Sequence, residues 1–233
     1  MSLVLIIVSI TLASVFCQIE FQSPNSGQTY GSPGWLYSTP EGEDTASKLT
    51  SLVTDTKNTW ENYVTAMKTS NNASKALVLY EEAGDSVEGT ACAPSDDDQY
   101  RSSVIEKISN TVESCAAFSN FTCGGHFCTL IELITEALVV VQKADYELEL
   151  LRELCFSLRV TQPPSCVEDE NKLLETINNT VSVSQLSKYY YEISESLFPS
   201  MANLVSCVDH GVLQIQAELE FRTQSLIDCR NSL

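Results

Sequence analysis

Residues 130–158 read LIELITEALVVVQKADYELELLRELCFSL, and their reading decides the fold. Taken at alternating steps of four and three, Leu130, Ile134, Ala137, Val141, Ala144, Leu148, Leu151, Cys155 and Leu158 make one apolar heptad seam. The spacing predicts a helix over 129–158, roughly 45 Å long at 1.5 Å per residue, whose oily stripe other helices must cover.

Helical spacing continues on both sides. Upstream, Ile105, Ile108, Val112 and Cys115 predict a helix over 97–118, closed by the turn Cys123-Gly124-Gly125-His126-Phe127-Cys128. Asp96, Asp97 and Asp98 stand at its amino-terminal end, where the helix dipole favours negative charge; they lack the spacing and glycine of a calcium loop. Earlier still, Leu49, Val53, Thr56, Trp60, Tyr63 and Met67 predict a helix over 44–69, with a shorter piece to about residue 84 after Asn71-Asn72. Downstream, Pro163-Pro164 ends the long helix. A helix over 168–197 follows through Leu173, Ile177, Val181, Leu186, Tyr190, Ile193 and Leu197, with a break allowed at Thr180–Ser184. Pro199 is placed in the first turn of a last helix carrying Met201, Leu204, Val208, Ile215, Leu219, Leu226 and Cys229, with Gly211 inside it.

The first 17 residues carry the apolar run Leu3–Leu12 and then smaller residues, with Val15 and Cys17 fitting a cleavage site. The run is too short for a comfortable membrane span, so a signal peptide cut before Gln18 is expected, and a secreted, extracellular product. Residues 18–43, rich in Gly, Pro and Ser, read as a flexible arm without an apolar period. Its cluster Tyr30, Trp35, Leu36 and Tyr37 reads as tucking the arm against its own domain, with docking to a partner as the other use.

Cleavage leaves eight cysteines: Cys92, Cys115, Cys123, Cys128, Cys155, Cys166, Cys207 and Cys229. An even number in an oxidising compartment implies four disulfides. Cys207 and Cys229 lie in one predicted helix, roughly 33 Å apart, so they do not pair with each other. Folding the helices up and down places Cys92, Cys155, Cys166 and Cys229 at one end and Cys115, Cys123, Cys128 and Cys207 toward the other. No bridge is expected between the two sets; Cys92 with Cys155 and Cys166 with Cys229 are the expected pairs of the first. With Cys155 on the seam and level with Cys92, the stripe reads as the internal core of a monomer. The fold class is all-α, an antiparallel up-and-down bundle of four to five helices in one domain, 44–233.

Thirty-one acidic against 13 basic residues give a net charge of -18. Such a field opposes nucleic-acid binding and docking to anionic lipid, and it serves solubility. Asn72, Asn120 and Asn178 head sequons for N-linked glycans. For catalysis there is little to work with. The chain has two histidines, His126 and His210, and no nucleophile elbow, His-Glu-x-x-His helix or phosphate loop. His126 sits inside a cysteine turn that oxidation explains better than zinc. His210 beside Asp209 reads as a solvent-facing helix residue, and Glu147, Glu149, Glu218 and Glu220 as polar-face residues. No catalytic residue, metal or cofactor is assigned.

The signal peptide, the acidic helical chain and the cysteines from Cys115 through Cys155, Cys166 and Cys207 to Cys229 resemble in layout the secreted insect proteins with a tsetse EP-type domain, over about residues 100–233. The resemblance implies secretion, often from gut or other epithelia, with no assigned activity and no site residues. The expected function is non-enzymatic binding of an extracellular protein, glycan or surface. Carriage of a small apolar ligand, lined by Tyr189-Tyr190-Tyr191, Phe198 and Met201, is the alternative, although the cysteine spacing differs from that of insect odorant-binding proteins.

Overall fold

The computed structural model describes residues 37–119, 126–157 and 164–233. The signal segment, the arm up to Leu36, and Cys123, Asn120 and Leu158 lie outside them. The described residues form seven helices and no strand: α1 (Pro40–Ser70), α2 (Asn72–Asp85), α3 (Asp97–Phe118), α4 (His126–Ser157), α5 (Pro164–Asn179), α6 (Val183–Gly211) and α7 (Leu213–Asn231). They divide into two compact units, one of residues 37–58, 126–157 and 164–197, the other of 59–119 and 198–233, with boundaries inside α1 and α6.

The first unit is organised on α4. Leu130, Ile134, Ala137, Val141, Ala144, Leu148 and Cys155 of the seam are all buried, and Leu151 is half-buried. Helix α5 packs along α4. Cys155–Cys166 and the Arg152–Glu170 ion pair (2.8 Å) join them in antiparallel register. Pro164 is the first residue of α5, where its missing N–H costs no hydrogen bond; the helix therefore starts there and not near 168.

In the second unit α2 packs on α7 and α3. The buried Asn71 separates α1 from α2: its amide donates to the Met67 carbonyl (2.7 Å), and its side-chain oxygen accepts from the Ser74 N–H (3.0 Å). Tyr80 meets Tyr100 edge to face at 5.4 Å, and the Arg222 guanidinium lies 3.7 Å from the centre of the Tyr100 ring. Burial, aided by the nearby carboxylates of Asp97 and Glu218 respectively, pushes both phenols up to about 12.

Several expectations need correction. Helix α1 begins at Pro40, not at 44. Val104 is buried where Ile105 was expected, and Ile105 is exposed, because the stripe Val104, Ile108, Val112, Cys115 steps by four, four and three. In α6 the inward stripe steps through Leu186, Tyr189, Ile193 and Leu197, so Tyr189 is buried where Tyr190 was expected, and Tyr190 is exposed. Pro199 opens no helix; it lies inside α6. A proline there costs about 3 kcal/mol, but Leu197, Leu204 and Val208 bury on one continuous stripe, and each contributes about 1.5–3 kcal/mol. The interruption falls instead between α6 and α7, at Gly211 and Val212, where a Cβ on Gly211 would stand 2.6 Å from the Thr111 methyl carbon of α3.

Three disulfides are described: Cys92–Cys229, Cys115–Cys207 and Cys155–Cys166. Each joins two members of the same expected set, but the expected partners Cys92–Cys155 and Cys166–Cys229 are exchanged. Cys155 bridges within the first unit to Cys166, and Cys92 within the second to Cys229. The three bridges are nested, each inside the span of the next. Non-reducing peptide mapping should recover these three pairs, and a Cys92–Cys155 or Cys166–Cys229 peptide would contradict the fold.

Candidate functional site

The polar centre of the first unit is Asp145, a charged residue on α4 with 1% of its surface exposed. Its carboxylate accepts from the Ser38 N–H (2.6 Å) and hydroxyl (3.1 Å), and from the Thr39 N–H (3.2 Å) and hydroxyl. The Thr39 oxygen in turn accepts from the Gly42 N–H at 3.2 Å and so caps α1, with Pro40 as its first helical residue. A buried carboxylate thus sits at the positive end of a 31-residue helix, met by four donors. Gly42 is required by this arrangement: a Cβ there would lie 2.2 Å from Asp145 Oδ1. Pro40 and Gly42 fall within residues 18–43, expected to be a flexible arm, yet both belong to the first turn of α1.

Two turns further along α4, Arg152 holds Glu41 with two nitrogens (3.1 and 3.3 Å) and Glu170 on α5 with Nε (2.8 Å). The Arg152 hydrogen bond holds the Glu41 carboxyl below its ordinary range. Tyr37 precedes the clamp. Burial first, and the Asp145 charge second, raise its hydroxyl well above the usual phenol range.

Between the Tyr37–Ser38 segment and α4 lies an open cleft of about 610 Å³, floored by Val139, Lys143 and Tyr146 and edged by Gln142 and Glu149. Its floor is part of a longer feature. Val139, Tyr146, Leu150 and Leu154 are 52%, 59%, 41% and 64% exposed, and they follow one another at steps of seven, four and four. At about 100° per residue this second apolar stripe runs along the side of α4 opposite the buried seam.

The structure disperses the other candidates. His210 is exposed near the end of α6, and His126 opens α4. Glu147, Glu218 and Glu220 are surface residues, while Glu149 edges the cleft. Of the residues named for a carrier lining, Tyr189 is buried, Met201 half-buried, and Tyr190, Tyr191 and Phe198 exposed. Asn72 at the start of α2 and Asn178 near the end of α5 are exposed; Asn120 is outside the described residues. Cys128 lies in the first turn of α4. Compared with protein-family models, curated proteins and solved structures, the chain matches none.

These contacts make three predictions. Asp145→Ala leaves buried donors on Ser38 and Thr39 unmet and should lower stability by about 3 kcal/mol or more in urea unfolding. Gly42→Ala should also destabilise, by about 1–3 kcal/mol, through the collision with the same carboxylate; a midpoint like that of the native chain would refute this geometry. Because the folded Glu41 carboxyl titrates low, its contribution is present above the ordinary carboxyl pKa and is lost as pH falls through the lowered value. Arg152→Gln should therefore flatten the stability change as pH falls below the ordinary carboxyl range, as read by thermal melts; an unaltered slope would show that the pair is not coupled to folding.

Proposed function

We propose that the chain is a secreted, acidic, monomeric glycoprotein that works without catalysis, binding a protein, glycan or surface in an extracellular fluid through the outer face of α4. The observation that carries this reading is the exposed stripe Val139, Tyr146, Leu150 and Leu154. Apolar side chains aligned on the solvent side of a core helix weaken solubility with no return in packing, and such patches mark contact sites. Three disulfides fit an oxidising compartment. Exposed sequons at Asn72 and Asn178 fit a glycoprotein. The similarity in layout to secreted tsetse EP-type proteins points the same way. Within each unit the helices are inferred to run up and down, as the register of α4 and α5 supports.

Carriage of a small apolar ligand is the second reading, and the cleft favours it, being of a size that small molecules occupy. A photo-crosslinking residue at position 150, in protein returned to the fluid of the producing tissue, should give a discrete adduct of macromolecular mass. The same residue at position 106, an exposed glutamate on α3, should give none. Equal labelling at both positions would sink the proposal, and a lipid-sized adduct would favour the carrier.

A further inference from the structure

The exposed stripe of α4 is bordered by charge. Val139, Tyr146 and Leu150 lie in solvent over roughly 17 Å of the helix, and the exposed Lys143 stands on the same face between the first two. At about 100° per residue, Glu136 and Glu147 fall on one flank of this line and Glu149 and Glu153 on the other. None of these four carboxylates makes an ion pair among the described residues. We propose that this face receives a cationic amphipathic helix of a partner protein, whose apolar side chains pack on Val139, Tyr146 and Leu150 while its lysines or arginines meet the glutamates of the two flanks.

The inference rests on the proposed function and names the partner's chemistry. The backbone N–H and C=O groups along this part of α4 bond within the helix, so the face offers side chains and no strand edge to extend. Val139, Lys143, Tyr146 and Leu150 step by four, three and four, the spacing on which a second helix packs. Charge then separates the occupants. A second copy of this chain would set its own glutamates against these and bring a further charge of -18. An anionic lipid surface is repelled for the same reason. A basic helix gains at both flanks, and the field of the whole molecule speeds its approach. Lys143 offsets one of the four negative charges and leaves the face net negative. Solubility accounts for glutamates anywhere on the surface; it gives no reason to place large apolar residues between them.

A fluorophore-labelled peptide of about 14 residues, leucine and lysine in the order of an amphipathic helix, spans the stripe and serves as the probe. With the full-length secreted protein at physiological ionic strength, fluorescence anisotropy should saturate at one peptide per chain. Tyr146→Ser with Leu150→Ser should weaken binding at least about tenfold while leaving the far-UV circular dichroism unchanged. Glu136→Gln, Glu147→Gln, Glu149→Gln and Glu153→Gln together should weaken it by about as much. Should that variant fail to fold, Glu147→Gln with Glu149→Gln reads the same flanks and should cost about threefold. Neutralising four exposed carboxylates elsewhere, by Glu82→Gln, Glu88→Gln, Glu106→Gln and Glu220→Gln, should change affinity by less than about twofold. Equal weakening by the two sets, or equal binding of a peptide with the same residues in an order without helical period, overturns the proposal in favour of diffuse attraction to an acidic molecule. Equal binding of the peptide with glutamate in place of lysine also overturns it. A dimer of the free protein in sedimentation, abolished by Tyr146→Ser with Leu150→Ser, would assign the face to a second copy. A discrete adduct at position 150 that proves to be a partner without a basic helix would sink this inference and leave the proposed function standing; equal labelling at positions 150 and 106 sinks both.

Discussion

A carboxylate taken out of water must be met by donors, and at Asp145 all the described donors come from one short stretch, Ser38-Thr39. That requirement fixes where α1 starts, forces glycine at position 42, and brings Glu41 within reach of Arg152. It also sets Tyr37 against α4 and so creates the cleft. The interaction joins positions more than 100 residues apart in sequence and ties the first helix of the unit to the helix that carries its core.

Helix α4 is consequently covered unevenly. Its seam, from Leu130 to Cys155, is buried by apolar packing, while the opposite side keeps four large apolar residues in solvent. Packing explains the first and gives no reason for the second. The chain places its most hydrophobic helix where one face builds the unit and the other remains available for contact, with the clamp at Asp145 lying on the flank between them.

The helices were largely legible in the sequence: α3 spans the residues that its periodicity predicts, and the seam of α4 is buried almost throughout. Periodicity reports which side chains share a face, and packing obeys it. The start of α1 was hidden because Pro40 and Gly42 look like loop residues until the carboxylate that needs them is placed beside them. Pro199 misled because its local cost is smaller than the burial on either side of it. The cysteine sets followed from helix lengths, but the partners within a set depend on which elements share a unit, and helix lengths do not carry that. The outer stripe escaped notice because a helix this apolar satisfies one seam so readily that the residues left over, Val139, Tyr146, Leu150 and Leu154, pass as filler.

The nesting of the bridges bears on how the molecule is made. A ribosome delivers the chain from the amino terminus, so Cys92 and Cys115 emerge long before Cys207 and Cys229, and meanwhile Cys123, Cys128, Cys155 and Cys166 pass by as closer partners. Bridging in order of appearance would give wrong pairs. The innermost bridge, Cys155–Cys166, can close first, and the two outer ones must wait for the last helices. Correct oxidation is thus a post-translational event that runs from the centre of the sequence outward, and its fidelity depends on thiol–disulfide exchange to undo premature links. A host that oxidises the nascent chain quickly and reshuffles it poorly is expected to produce this protein scrambled.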